Sequence, residues 1–162
     1  MSASVGRARA RIGLLGNPGD LYGGNVLAAT IDTFETVATV TDTVFYAPAS
    51  FQPDVADLQR LAVARVAPSK GAIALGLTTD VPVQSGLSGS SAILLATLRA
   101  LDTHLDLGLQ PLEMAQIAWD IEREELGIVA GPQDRVIQAL GGLKYMDFSD
   151  PDEIGTHESL DP

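Results

Sequence analysis

Cysteine is absent from this chain of 162 residues. That removes disulfides, thiolate zinc sites and cysteine nucleophiles in one step, and makes residence in the cytoplasm the default expectation. Long apolar runs are missing too. None approaches the roughly 18 residues that a membrane-spanning helix needs, so no membrane partner is expected. Residues 1–11 carry three arginines but no apolar stretch and cleavage site behind them, and so do not read as a secretory signal. Basic residues are scarce: ten against twenty-one acids leave a formal charge of −11. A surface of that sign repels nucleic acid and anionic lipid unless its bases gather in one place. They form no run, although Arg7, Arg9 and Arg11 alternate along one stretch, and no nucleic-acid partner is expected. An anionic small substrate stays open, because a local site can oppose the global field, particularly with a magnesium ion between them.

What is present is the material of one globular domain. Hydrophobic residues make up 46% and charged residues 19%, which fits a packed core and argues against disorder. Ala8–Leu15 reads as a strand that runs into the turn residues Gly16-Asn17-Pro18-Gly19-Asp20. Val26–Ile31 and Phe34–Val40 alternate as two further strands, and Val44–Ala47 as a short fourth. Pro53–Val66 has helical spacing behind a proline suited to the first helical position. Ala72–Thr78 reads as a buried strand and Pro82–Ser91 as a loop of small residues. Ala92–Leu105 is an apolar helix, buried on most sides, and Pro111–Glu125 an amphipathic one. A short helix, Asp134–Leu140, stops at Gly141-Gly142, and Leu143–Phe148 is a closing strand. From Ser149 onward the chain is acidic and broken by Pro151 and Gly155, which predicts a linker or frayed tail over 149–162 behind a domain over 1–148. Strands come first and helices later, so the expected class is α+β with helices on one face of a mixed sheet.

Ser85-Gly86-Leu87-Ser88-Gly89-Ser90-Ser91 is the most informative stretch. It precedes a long helix, whose N-terminus offers free amides and a positive dipole end to a phosphate. Glycines let the backbone close around an anion, and serine hydroxyls donate to it or ligate magnesium. On composition alone, an ordinary serine-capped helix start fits equally well, since the Gly-Lys-Ser/Thr of a P-loop is lacking. Asp134, in Gly131-Pro132-Gln133-Asp134, reads as a helix cap when taken by itself. Gly16–Asp20 reads as a hairpin turn, and Glu122, Glu124 and Glu125 as a solvated helix face. His104 and His157 have no convincing partner in the sequence.

The order of these pieces resembles the N-terminal portion of the GHMP family of small-molecule kinases. The family's first motif, a basic residue on a strand followed by a Gly-rich sugar-site turn, corresponds to Arg11-Ile12-Gly13-Leu14-Leu15-Gly16 through Asp20 and Gly23-Gly24. The second, Pro-x-x-x-Gly-Leu-Gly-Ser-Ser-Ala, corresponds to Pro82–Ala92, with Ser88-Gly89 in place of the usual Gly-Ser order. Gly-Asn-Pro in the first motif, Ala-Gly-Pro-Gln-Asp-Arg over 130–135 and Gly-Gly-Leu-Lys-Tyr-Met-Asp-Phe over 141–148 are most similar to the glucuronokinase-like branch. The likeness runs over about residues 6–148.

The resemblance implies a ribosomal-protein-S5-domain-2-like fold and an ATP-dependent sugar 1-kinase, with glucuronate or a related sugar as acceptor. ATP phosphates would lie on Gly86, Leu87, Ser88, Gly89, Ser90 and Ser91. Ser90 would reach Mg2+, joined by Glu122, which stands twelve residues before Asp134 as the magnesium acid of galactokinases does before its Asp. Asp134 would take or orient the proton of the attacking hydroxyl, with Arg11 stabilising it and the transferring phosphoryl. Asp20, Tyr22 and Gly23 would meet the sugar. Asn17 and Pro18 replace the Glu and His usual in galactokinases, which disfavours galactose. A uronate carboxylate would want a basic partner, for which Arg135 or Arg7 is available. Family members carry a C-terminal domain with a further glycine-rich motif that has no match here, so a separate C-terminal chain or a homodimer is the expected partner. The competing expectation is a non-catalytic nucleotide-binding or interaction domain that keeps the fold without turnover. Arg11, Ser90, Glu122 and Asp134 together favour the kinase, because a fold alone needs none of that charge pattern.

Overall fold

The computed structural model describes residues 3–43, 53–69, 71–150 and 152–160, with backbone alone for 53–56. The strand expected at Val44–Ala47 lies outside them. β1 (Ser4–Leu15) buries Gly6, Ala8 and Ala10 in alternation and exposes Arg7 and Arg9. β2 (Asn25–Asp42) is one strand of 18 residues where the alternation predicts two. Its pairing with β1 steps between Arg9↔Glu35 and Ala10↔Ile31, leaving residues 32–34 of β2 as a bulge. A bulge breaks the two-residue period locally without ending the strand.

With β1 on one edge of β2, the other edge is shared. β3 (Ile73–Thr79) pairs with its residues 36–42 and β4 (Leu143–Asp147) with 25–29. β5 (Thr156–Ser159) pairs with β4, from Lys144↔Ser159 to Asp147↔Thr156. Two expectations are corrected here. All strand pairings among the described residues are antiparallel, so the sheet is not mixed. The stretch expected as a linker contributes an edge strand. Its Thr-His-Glu-Ser sequence is exposed throughout, so backbone pairing holds it and no apolar alternation announces it.

The helices are α1 (Pro53–Val66), α2 (Gly89–Leu105), α3 (Pro111–Asp120) and α4 (Gln133–Leu140). α3 continues into a π-helical turn, Ile121–Glu125, where one helix is expected from the sequence. α2 lies against β1 and β2 with α1, α3 and α4 around it. Leu94, Leu95, Leu98 and Leu101 of α2 are fully buried with Val40, Ile137, Met146 and Phe148. Small residues on β1 allow this close approach: a Cβ on Gly6 would overlap the Ala96 carbonyl and the Ala100 amide. The outer edge of β1 is covered from the helix side. Arg99 donates to the Arg7 carbonyl, Gln138 to that of Arg9 at 2.8 Å, and the Arg11 amide to the Leu87 carbonyl at 3.3 Å. The last of these seats the loop before α2 beside Arg11. Among the described residues no helix is long and apolar enough to cross a membrane.

Candidate active site

Arg11 interrupts the alternation of β1: it is buried beside Ala10, just past the step in register. Its guanidinium donates from Nε to Asp134 Oδ1 at 2.6 Å and from Nη1 to the Gly86 carbonyl at 3.0 Å. Asp134 stands in the first turn of α4, where a carboxylate faces the positive end of the helix. Its other oxygen, Oδ2, accepts from Ser88 Oγ at 2.6 Å. Strand β1, the loop before α2 and the start of α4 thus meet at one carboxylate. Ser88 precedes α2 with left-handed backbone angles, φ 61° and ψ 52°, and its hydroxyl does not cap the helix. The first amides of a helix have no partner within it. Ser90 is exposed there, whereas Ser91 Oγ is buried without a hydrogen-bond partner.

Asp20 belongs to a 3-10 turn, Gly19–Tyr22, and is 2% exposed. Both its oxygens accept from Gln133, Oδ2 from the backbone amide at 3.2 Å and Oδ1 from the side-chain amide at 3.0 Å. Gln133 also donates to Asn17 Oδ1 at 2.5 Å. The turn is thereby fastened to the start of α4, and a Cβ at Gly131 would run into the Asp20 carboxylate. Burial pushes the Asp20 carboxyl up. The Gln133 amide opposes that shift and the nearby Asp134 charge adds to it. Tyr22 is 81% exposed; Gly23 closes the turn at φ 72°.

Glu122 does not join this group as expected. It is 1% exposed, and its carboxylate forms an ion pair with Arg135 Nη2, itself buried. Arg135 Nη1 donates to the Gly131 carbonyl at 2.6 Å. Burial pushes the Arg135 guanidinium down to about 10, against the pull of Asp20 and with the push of Arg11; it stays charged at neutral pH. As arranged, Glu122 does not face a bound magnesium ion, because it is 1% exposed and its Oε2 is turned to the buried Arg135. Among the described residues no group of three or more His, Asp or Glu side chains is placed to hold a metal. Arg135 is likewise unavailable to a substrate carboxylate, and Arg7 pairs with Glu35 on the surface. Neither basic partner expected for a uronate is free.

Sequence reasoning missed Gln133, Gln138 and the Arg135 pairing. Gln133 and Gln138 bridge positions more than 100 residues apart in the chain, a separation that leaves no local signal.

Residues 56–142 match the family model of the GHMP kinases N terminal domain. Glucuronokinase 1 of Arabidopsis thaliana is 35% identical over an alignment covering 88% of this chain and 48% of that protein. The D-glycero-alpha-D-manno-heptose 7-phosphate kinase of Campylobacter jejuni is 44% identical over 70 residues, 43% of this chain and 21% of that protein. The crystal structure of a D-glycero-D-manno-heptose 1-phosphate kinase from Bacteroides thetaiotaomicron superposes with a TM-score of 0.85 at 27% identity, covering 99% of this chain and 60% of that one. The chain therefore spans about half the length of the curated glucuronokinases it matches. With that family model matched over more than half of its length, the chain belongs to the GHMP kinase family, whose N-terminal domain it carries.

Proposed function

We propose that this chain supplies the N-terminal half of the active site of an ATP-dependent sugar kinase, acting on the 1-hydroxyl of glucuronate or a related sugar. The observation that carries the reading is Asp134, held from opposite sides by Arg11 and Ser88 at 2.6 Å each. Each carboxylate oxygen has a second acceptor direction, so Asp134 can still accept the hydrogen bond of a sugar hydroxyl and orient or take its proton. Arg11 sits 7% exposed beside it, where a fixed cation offsets charge on a transferring phosphoryl better than it would in water. The phosphates of ATP would lie along Gly86–Ser91, on the free amides that open α2. Of the two expected magnesium ligands Ser90 is exposed, whereas Glu122 is buried and paired with Arg135.

The curated glucuronokinases are about twice the length of the matched region, and the remaining wall would come from a C-terminal domain, a separate chain or a second copy. The test is magnesium-dependent ADP release with ATP and a panel of sugars including glucuronate, run on the chain alone and with the C-terminal half of a related kinase. Asp134→Asn should lower turnover by on the order of 10²–10⁴, the size of a general-base contribution. ATP binding without turnover on any sugar in either format would favour a non-catalytic nucleotide-binding domain.

A further inference from the structure

A cavity of about 410 Å³ opens behind the sugar-site turn, lined among others by Leu21, Trp119, Arg123, Val129, Gly131 and Asp152. It shares walls with the candidate site, since Leu21 follows Asp20 in the 3-10 turn and Gly131 abuts the Asp20 carboxylate. Trp119 is fixed by its indole N–H, which donates to the Ala130 carbonyl at 2.6 Å. Arg123, one turn on, lays its guanidinium over the Trp119 ring, 4.4 Å from the centroid. A guanidinium stacked this way keeps its N–H edge free for a planar anion.

The neighbouring charges leave Arg123 available. Glu122 is taken by Arg135, and Glu124 and Glu125 turn to Arg65. Among the described residues only Asp152 pairs with Arg123, at 3.7 Å from a side chain that is almost fully exposed. A long, solvated pair of this kind contributes little and yields readily. Arg135 and Arg7 are committed elsewhere, so Arg123 is the arginine in this part of the molecule with a loosely held partner and a cavity beside it.

The geometry points to this cavity as the subsite for an anionic substituent of the sugar, a carboxylate or a phosphate, with Arg123 as its cation and Asp152 as the group the anion displaces. The inference rests on the sugar-kinase reading and narrows it to acidic sugars. A sugar whose hydroxyl reaches Asp134 would pass the Asp20 turn and direct its far end toward Arg123.

The chain has a single tryptophan, so fluorescence reports on this cavity alone. Trp119 emission is followed while D-glucuronate, D-glucose 6-phosphate and neutral D-glucose are titrated in turn, with calorimetry as a second readout. The anionic sugars should bind at least about tenfold more tightly than glucose, the scale of one charge-assisted hydrogen bond. Arg123→Gln should close that gap and Arg123→Lys should keep part of it. Asp152→Asn, on the surface and harmless to folding, should widen it. The two anionic arms separate a carboxylate site from a phosphate site. Equal affinity for all three sugars, or a preference for anions that survives Arg123→Gln, would overturn the subsite and leave the kinase reading intact. No response and no heat with any sugar would overturn both.

Discussion

Ser88 joins two features that are separable by substitution. Its backbone is left-handed, at φ 61°, which costs a residue with a Cβ on the order of 1 kcal/mol. Its hydroxyl is spent on Asp134. Ser88→Gly removes the hydroxyl and the strain together, whereas Ser88→Ala removes the hydroxyl alone. Both should lower turnover to the same extent, by about tenfold or more for one lost bond to a charged group. In thermal unfolding the Gly variant should be the more stable of the two. Equal melting temperatures, or a rate loss in one variant only, would separate Ser88 from these roles. The sequence made Arg11 and Asp134 legible through the order of the motifs, although neither stands out by itself. The use of Ser88 on Asp134 was hidden, because a serine before a helix reads first as a cap. Asp20 was expected to meet the sugar; its burial and double grip by Gln133 were not legible, because they depend on a turn and a helix far apart in the chain meeting in space.

At the scale of elements, two contacts set the geometry around the site. The first is the approach of α2 to β1 over Gly6, where an added methyl would meet backbone atoms that have no side-chain freedom to yield. Gly6→Ala should cost about 3 kcal/mol, the upper end of the usual overpacking cost, read as a fall in the denaturant midpoint. The second is the buried pair that ties the π-helical turn to α4, Glu122 with Arg135. Glu122→Gln or Arg135→Met alone should lose about 3–5 kcal/mol by stranding a buried charge, and the double variant should recover most of it. A double-mutant cycle by chemical denaturation measures the coupling; additive losses would show that the two side chains do not support each other. The helices were legible in their apolar spacing, and α4 ends at Gly141 as expected. The undivided β2 was not, since its bulge at residues 32–34 interrupts the same alternation that defines a strand. Nor was the π-helical turn, whose extra residue turns Glu122 inward from what reads as a solvated face.

Across the whole molecule, the pH dependence of stability combines a surface of net charge −11 with a few buried carboxylates. Lowering the pH relieves the repulsion of the surface, but it also protonates acids that gain from ion pairs in the folded state, so the total slope has no single cause. Asp20 can be isolated from that sum. Its carboxyl is raised from an ordinary 3.8, first by burial and further by the charge of Asp134. A carboxyl raised on folding holds more protons in the native than in the unfolded chain over the interval between the two values. Its contribution is therefore full below about pH 3.8 and is lost as the pH climbs through the raised value. Asp20→Asn cannot titrate, and its altered hydrogen bonds to Gln133 shift stability by an amount independent of pH. The stability of the Asn variant relative to the natural chain should thus rise with pH from about 3.8 and level off above the raised value. Denaturation curves for both proteins at matched ionic strength give that difference, with the surface term common to both. A difference that stays flat, or that falls as the pH rises, would mean that Asp20 folds as an ordinary or a favourably paired carboxylate.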